Sequence, residues 1–327
     1  MRFYTEIEAR ALMNKWGAEQ QNFLFIVDYK KCRVFLELLC NVDSEEVLFA
    51  FPSASNDGRI DIPHISNVVW NVHPESFEVY SKKIGVVKRH LHQGNSFLTN
   101  LTCRIPVETN LSLLDIYLHS SALYKLWMKD RFVCFSPEIF IRIENGYIHS
   151  YPMKGTLSAE IPNAGKMLMD DEKEAAEHAT IVDLIRNDLS IVAKDVHVSR
   201  YRYMDLLQTN KGGILQTSSD IEGKMPTDYL SRIGDILFDQ LPAGSITGAP
   251  KKKTLEIIDE AEDYDRGFYT GVMGVCKDGV VDSAVMIRFV ENDKGNLYFK
   301  AGGGITAQSR DEDEYNEVIQ KAYVPIY

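Results

Sequence analysis

Apolar positions gather in short bursts toward both ends of the chain and fall at helical spacing between them. Residues 23–27 and 34–39 are compact apolar runs, and the polar Asp28-Tyr29-Lys30-Lys31 between them reads as a hairpin tip. Residues 47–52 predict a strand closed by Pro52. Residues 75–92 put Phe77, Val79, Tyr80 and Ile84 on one side and Lys82, Lys83, Lys88 and Arg89 on another, the pattern of an amphipathic helix. Residues 95–106 return to strand, and 131–137 predict a strand stopped by Pro137. Residues 138–143 and 147–151 flank Asn145-Gly146, a strong two-residue hairpin signal. Helices are predicted over 170–187, 227–240, 251–262 and 311–322, and strands over 268–276, 280–290 and 296–301. Strands at both ends with helices between them give an α+β class, without the strict alternation of a doubly wound sheet. The expected architecture is one interlocked domain whose N- and C-terminal strands share a core. A two-domain split near residue 150 is the alternative.

Composition changes this picture little. Of 327 residues, 45% are hydrophobic and 25% charged, ordinary for a globular chain and unlike disordered, collagenous or membrane classes. The formal net charge of −11 argues against a nucleic-acid surface and against polybasic membrane docking. An anionic small substrate then needs a site that is locally positive or metal-bearing. The cysteines are Cys32, Cys40, Cys103, Cys134 and Cys276, with no C-x-x-C, so neither a disulfide frame nor a zinc ribbon is indicated. The first residues carry no apolar leader, and no apolar run approaches the about 18 residues of a membrane span, so a cytoplasmic protein is expected.

Candidate chemistry lies in the second half. Glu174 and Glu177 are three residues apart on one predicted helix, and Glu314 and Glu317 repeat that spacing on another. If the two faces meet, four carboxylates converge, an all-oxygen set suited to Mg²⁺ or Ca²⁺; each pair alone could also be a solvated face. Gly302-Gly303-Gly304, after the strand predicted over 296–301, could cradle an anion with its N–H groups or simply make a tight strand-to-helix turn. Residues 244–251, Gly-Ser-Ile-Thr-Gly-Ala-Pro-Lys, lack the ending of a phosphate-binding loop and read as a loop that opens a helix. Glu138 and Lys154 lie on either side of the predicted hairpin, so a carboxyl acid and an amine nucleophile could be neighbours, or merely a surface ion pair. Arg288 could clamp a carboxylate or pair structurally. No Ser/His/Asp constellation and no H-E-x-x-H is present.

Taken together, these segments resemble the chorismate-utilising enzymes: anthranilate synthase component I, isochorismate synthase and aminodeoxychorismate synthase component I. The resemblance runs over about 94–322. It is carried by Phe135-Ser136-Pro137-Glu138, Pro152-Met153-Lys154-Gly155-Thr156, Ile181 to Asp188, Gly244 to Lys251, Arg266 to Gly271, Ile287-Arg288, and Ala301 to Ile305 with Glu314 to Glu317. It implies a β-sandwich core of interlocked antiparallel sheets with helices outside. Residues 1–93 would be a reduced N-terminal part lending strands to the core, and 94–327 the chorismate-binding catalytic region. It also implies Mg²⁺ on Glu177 and Glu317 with Glu174 and Glu314 in support. Gly302, Gly303 and Gly304 would give backbone donors to the ring carboxylate. Tyr269 and Arg288 would hold the enolpyruvyl carboxylate, and Thr156 and Ser245 would line the cleft.

Within the family, lysine at position 154 resembles the members that make 4-amino-4-deoxychorismate, on the way to p-aminobenzoate and folate, where anthranilate and isochorismate synthases typically carry alanine. The resemblance implies a neutral Lys154 amine attacking ring C2 while Glu138 protonates the departing C4 hydroxyl. Partial burial is expected to lower the lysine's pKa. Leu98 stands where relatives often carry glutamine, Gln216 where a histidine is expected, and Leu157-Ser158-Ala159 where Pro-Arg usually follows the Lys-Gly-Thr motif. The tryptophan-binding element of longer relatives is not recognised, so no such feedback pocket is expected. No amidotransferase stretch is recognised, so ammonia is expected from a separate glutamine amidotransferase subunit. Anthranilate or isochorismate synthesis, and a catalytically silent chorismate-binding subunit, are the alternatives.

Overall fold

Strand Phe23–Val27 is buried at all five residues, and the reason is visible in its neighbours. Leu24 and Ile26 face one apolar cluster while Phe23, Phe25 and Val27 face another, the two-residue period of a strand covered on both sides. The computed structural model, which describes residues 1–58, 65, 67–209 and 212–324, is a sandwich of two antiparallel sheets with helices on the outer faces.

The first sheet has the order Phe3–Tyr4, Val34–Leu38, Phe23–Val27, Val272–Lys277, Val280–Val285, Ile139–Glu144, Tyr147–Ser150, Gly212–Lys224, with Met153–Ser158 and Lys194–Thr209 also bonded to Gly212–Lys224. The second has the order Gly248–Ala249, Leu98–Thr109, Asn296–Ile305, Phe289–Asp293, Phe132–Ser136, Tyr124–Met128, Val47–Phe51, Ala54–Ser55, with Trp70–Val72 against Leu98–Thr109. Early strands bond late ones: Leu24 faces Val275, and Thr102 faces Gly302. This is the interlocked single α+β domain expected from the sequence.

Between the sheets lies a core of Leu24, Ile26, Phe49, Leu126, Met273, Val275 and Phe289, among others. Outside the first sheet, helices Glu6–Ala18, Glu172–Ser190 and Ile233–Gln240 supply Met13, Ile181, Ile185 and Ile236 to a second cluster. Outside the second sheet, helices Phe77–His92, Leu113–His119, Lys251–Ala261 and Asp311–Gln320 supply Tyr80, Ile84, Ile116, Ile257 and Val318 to a third. Among the described residues no helix is long and apolar enough to cross a membrane.

Two local features decide where the site falls. The strand expected over 280–290 breaks in two: Val280–Val285 belongs to the first sheet, Phe289–Asp293 to the second, and Arg288 between them has a left-handed φ of 54°. The chain changes sheets at that point and leaves Arg288 at the crossing. The other feature is a slip in register. Tyr147–Ser150 and Met153–Ser158 follow one edge of Gly212–Lys224 in continuous register, from Tyr147 opposite Lys224 to Lys154 opposite Thr217. At Gly155, whose φ is 70°, the register moves by one residue. A bulge of this kind bends the strand and re-aims the adjacent side chain, here Lys154.

Candidate active site

The seam between the sheets and the helix Glu172–Ser190 opens as a cavity of about 650 Å³. Every residue singled out from the sequence lines it: Glu138, Lys154, Thr156, Glu174, Glu177, Ser245, Tyr269, Arg288, Gly302, Gly303, Gly304, Glu314 and Glu317. The hairpin Ile139–Glu144 and Tyr147–Ser150 brings the segment before it, with Glu138, alongside the segment after it, with Lys154.

Glu138 is held at both ends. Its N–H donates to Ser136 Oγ at 3.1 Å, and Ser245 Oγ donates to its Oε1. Burial raises its pKa above the ordinary carboxylate value, against the opposing effects of Ser245, Lys154 and Lys321. A carboxyl in this state retains its proton at higher pH, as a general acid requires. The loop 244–251 thus gives its serine to the acid, and Pro250 caps the helix Lys251–Ala261 that follows.

Lys154 Nζ donates to Glu177 Oε2 at 3.0 Å. The expected lowering of its pKa is not found. Burial does push the amine down, but Glu177, Glu174 and Glu317 together outweigh it, so the lysine sits above its ordinary value. Sequence reasoning weighed the low dielectric and omitted three carboxylates aimed at the same amine.

Those carboxylates come from the two expected helices, Glu172–Ser190 and Asp311–Gln320. Burial raises Glu174, with the charge of Glu177 adding to it. Burial also raises Glu314, opposed by Ser309 and reinforced by Glu317 and Glu177. At Glu317, desolvation is outweighed by the ion pair with Lys321 at 2.6 Å, and the group falls below the ordinary value. Among the described residues, no three His, Cys, Asp or Glu groups close around a point that would hold an ion as placed. Lysines occupy the carboxylates instead: Lys154 and Lys173 at Glu177, Lys321 at Glu317. The donor chemistry, four carboxylates on two facing helices, fits a hard divalent cation, and the buried, mutually repelling Glu174 and Glu314 would be relieved by one. Binding it requires those lysine pairs to open.

The glycine triplet is neither a turn nor an isolated nest. It lies inside strand Asn296–Ile305, with Gly302, Gly303 and Gly304 opposite Thr102, Leu101 and Asn100. The neighbour on the other edge, Phe289–Asp293, pairs no further than Lys300, so that edge is open along the triplet. Gly302 O accepts Lys321 Nζ at 3.0 Å outside the ladder, and in an antiparallel strand its N–H points the same way. A Cβ on Gly303 would lie 3.5 Å from Glu314 Oε2, and one on Gly304 3.1 Å from Leu98 Cδ1 and 3.6 Å from Lys154 Nζ. A Cβ on Gly302 would meet Leu101 O at 2.6 Å. Gly302→Ala is therefore expected to cost about 1–3 kcal/mol of stability in urea denaturation. Gly303→Ala should stay within about 0.5 kcal/mol and instead raise KM about tenfold or more, the effect of one extra methyl in a fitted site.

Tyr269 is buried against the Phe289 ring at 5.8 Å, and burial raises its phenol pKa. Arg288 Nη1 donates to Lys321 O at 3.4 Å and its guanidinium lies over the Tyr323 ring. Lys321 is a cavity residue that sequence reasoning missed, although its i, i+4 spacing from Glu317 was a readable signal. Leu98 is buried and Gln216 lies opposite Thr156, both in the cavity wall.

The profile of the chorismate-binding enzymes matches residues 55–326. The chain belongs to this family of chorismate-binding enzymes. It is 45% identical over 316 residues to a PabA-like protein of Pasteurella multocida described as uncharacterised, covering 96% of this chain and 97% of that one. It is 34% identical to aminodeoxychorismate synthase component 1 of Salmonella typhimurium, covering 74% of this chain and 55% of that one. It is 35% identical to anthranilate synthase component 1 of Acetivibrio thermocellus, covering 76% and 52%. The chain thus spans nearly all of its PabA-like relative and about half the length of these two named synthases. In fold, this member of the family superposes on the menaquinone-specific isochorismate synthase of Escherichia coli with a TM-score of 0.76 at 16% identity, covering 98% of this chain and 82% of that one. Anthranilate synthase component I of Streptococcus pneumoniae gives 0.70 at 22%, covering 92% and 79%. Chorismate-binding enzymes therefore account for the architecture and for the substrate class.

Proposed function

We propose that this chorismate-binding enzyme joins chorismate and ammonia into 4-amino-4-deoxychorismate through a covalent adduct on Lys154, for p-aminobenzoate and folate biosynthesis. The observation that carries the reading is the amine of Lys154 in the cavity wall, aimed by the Gly155 bulge and sharing that cavity with Glu138.

In its neutral form Lys154 attacks ring C2. The C–N bond forms as the C1–C2 double bond shifts to C1–C6, the C5–C6 double bond shifts to C4–C5 and the C4 hydroxyl departs, taking the Glu138 proton and leaving as water. Ammonia then bonds to C4, the double bonds return to C5–C6 and C1–C2, and the C2–N bond breaks with its electron pair going to Lys154. Glu138 is reprotonated from solvent. Glu177, 3.0 Å from the amine, is placed to take the proton that Lys154 must first lose. Arg288 and Tyr269 suit the enolpyruvyl carboxylate, and the open glycine edge suits the ring carboxylate. Thr156 and Ser245 complete the cleft wall. Mg²⁺ held by Glu177 and Glu317, with Glu174 and Glu314 behind them, would supply positive charge to the ring carboxylate. The ammonia source is proposed to be a separate glutamine amidotransferase chain.

Anthranilate synthesis is the second reading, favoured by the 35% identity to an anthranilate synthase component. Chorismate, Mg²⁺ and ammonium at alkaline pH, followed by mass and fluorescence identification of the product, separates the two. Aminodeoxychorismate supports the reading, and released anthranilate or isochorismate overturns it. Glu177→Gln is expected to weaken Mg²⁺ binding about tenfold or more, read by calorimetric metal titration without substrate. An unchanged titration would remove Glu177 from the ligand set.

A further inference from the structure

A buried charge pair that the reaction does not use lies directly behind this cavity. Arg266 and Glu262 are both almost wholly enclosed, and their contact is bidentate: Nε to Oε2 at 2.8 Å and Nη2 to Oε1 at 2.6 Å. Glu262 Oε1 is fixed in turn by the N–H and hydroxyl of Thr102, each at 2.8 Å. The guanidinium also reaches outward to two backbone carbonyls, Ile246 O at 3.0 Å and Asn100 O at 2.7 Å.

Those two carbonyls belong to cavity walls. Ile246 follows Ser245, the residue that donates to Glu138, in the short turn Gly244–Ile246. Asn100 lies opposite Gly304, and its N–H donates to Thr247 O at 2.9 Å, so both contacts grip the same loop. Arg266 also opens the turn that carries Tyr269, through Tyr269 N to Arg266 O at 3.1 Å. One planar guanidinium thus ties together the serine turn, the strand facing the glycines and the tyrosine turn. A lysine, with a single compact ammonium, cannot reproduce that fork.

We propose that Arg266, clamped by Glu262, is a positioning residue that fixes the Gly244–Ile246 turn and through it the hydrogen bond from Ser245 to the acid Glu138. It touches neither substrate nor reacting atoms. This inference rests on the acid role given to Glu138 above.

The test is a double-mutant cycle of Arg266→Lys with Ser245→Ala, read as the rate of chorismate consumption whatever the product. A different product would therefore overturn the proposed reaction and leave the cycle readable. Each single variant is expected to lower kcat about tenfold with KM within about threefold. In the Ser245→Ala background, Arg266→Lys should cost no more than about twofold, since the contact it serves is already gone. Multiplicative losses, about a hundredfold in the double variant, would overturn the proposal. Carboxyl carbon-13 titration of Glu138 reads the same link without turnover. Loss of the Ser245 donor should raise its pKa in Arg266→Lys as in Ser245→Ala, and an Arg266→Lys titration unchanged from wild type would also overturn it. Should Arg266→Lys fail to fold, Glu262→Gln, which frees the guanidinium, takes its place in both measurements with the same expected and overturning results.

Discussion

Lys154→Ala is expected to lower amination of chorismate about 10³-fold or more, with KM for chorismate within about threefold. The asymmetry follows from placement. The groups suited to the substrate's two carboxylates, Arg288, Tyr269 and the glycine edge, are on other elements and stay in place. What disappears is the only step that turns C2 attack into departure of the C4 hydroxyl within the site. The variant also leaves Glu177 without its 3.0 Å partner, so a thermal melt must accompany the kinetics. Lys154→Met, which keeps the bulk of the side chain without the amine, should lose as much activity. A variant within twofold of wild type would mean that another group opens the reaction.

Glu138→Gln is expected to cost about 10²–10⁴ in kcat, the range for a positioned general acid. The amide keeps the shape and can still meet Ser245 but has no proton to give. The pH profile makes the assignment specific. Burial raises Glu138 above the ordinary carboxylate range, and neighbouring acids raise Lys154 above the ordinary lysine range. The productive form needs the carboxyl protonated and the amine neutral, opposite to what each pKa favours between the two values. That form is scarce at every pH. The profile is nevertheless bell-shaped, rising through the Glu138 value and falling above the Lys154 value. The rise reports loss of the amine proton and the fall loss of the carboxyl proton, so Glu138→Gln should remove the falling limb and Lys154→Ala the rising one. Both limbs surviving in Glu138→Gln would assign the acid elsewhere.

Much of this site was legible because its residues carry their placement locally. The Asn145-Gly146 turn sets a hairpin that returns Lys154 toward Glu138, and i, i+3 spacing keeps each glutamate pair on one helix face. The helix 251–262 and the late strands were also readable, within one or a few residues of their observed ends. What was not legible depends on distant partners. The long hairpin of Lys194–Thr209 and Gly212–Lys224 is rich in charged and polar residues, and only pairing across strands makes it a sheet. Helix Glu6–Ala18 has a capping box at Thr5 and Glu8 that was overlooked. The break after Val285 lies inside an apolar run, and periodicity cannot tell one strand from two that enter different sheets. The glycine triplet was misplaced for the related reason that glycine argues against strand, whereas here the partner strand Leu98–Thr109 holds it in one. The Lys154 amine was read from burial alone because the carboxylates facing it come from segments remote in the chain.

The most direct measurement is to mix the protein with chorismate and Mg²⁺ in the absence of ammonia, quench, and map the digested protein by mass. The peptide bearing Lys154 should gain the mass of chorismate less one water, and added ammonium should discharge it. An unmodified peptide under conditions where the same preparation consumes chorismate would contradict the account.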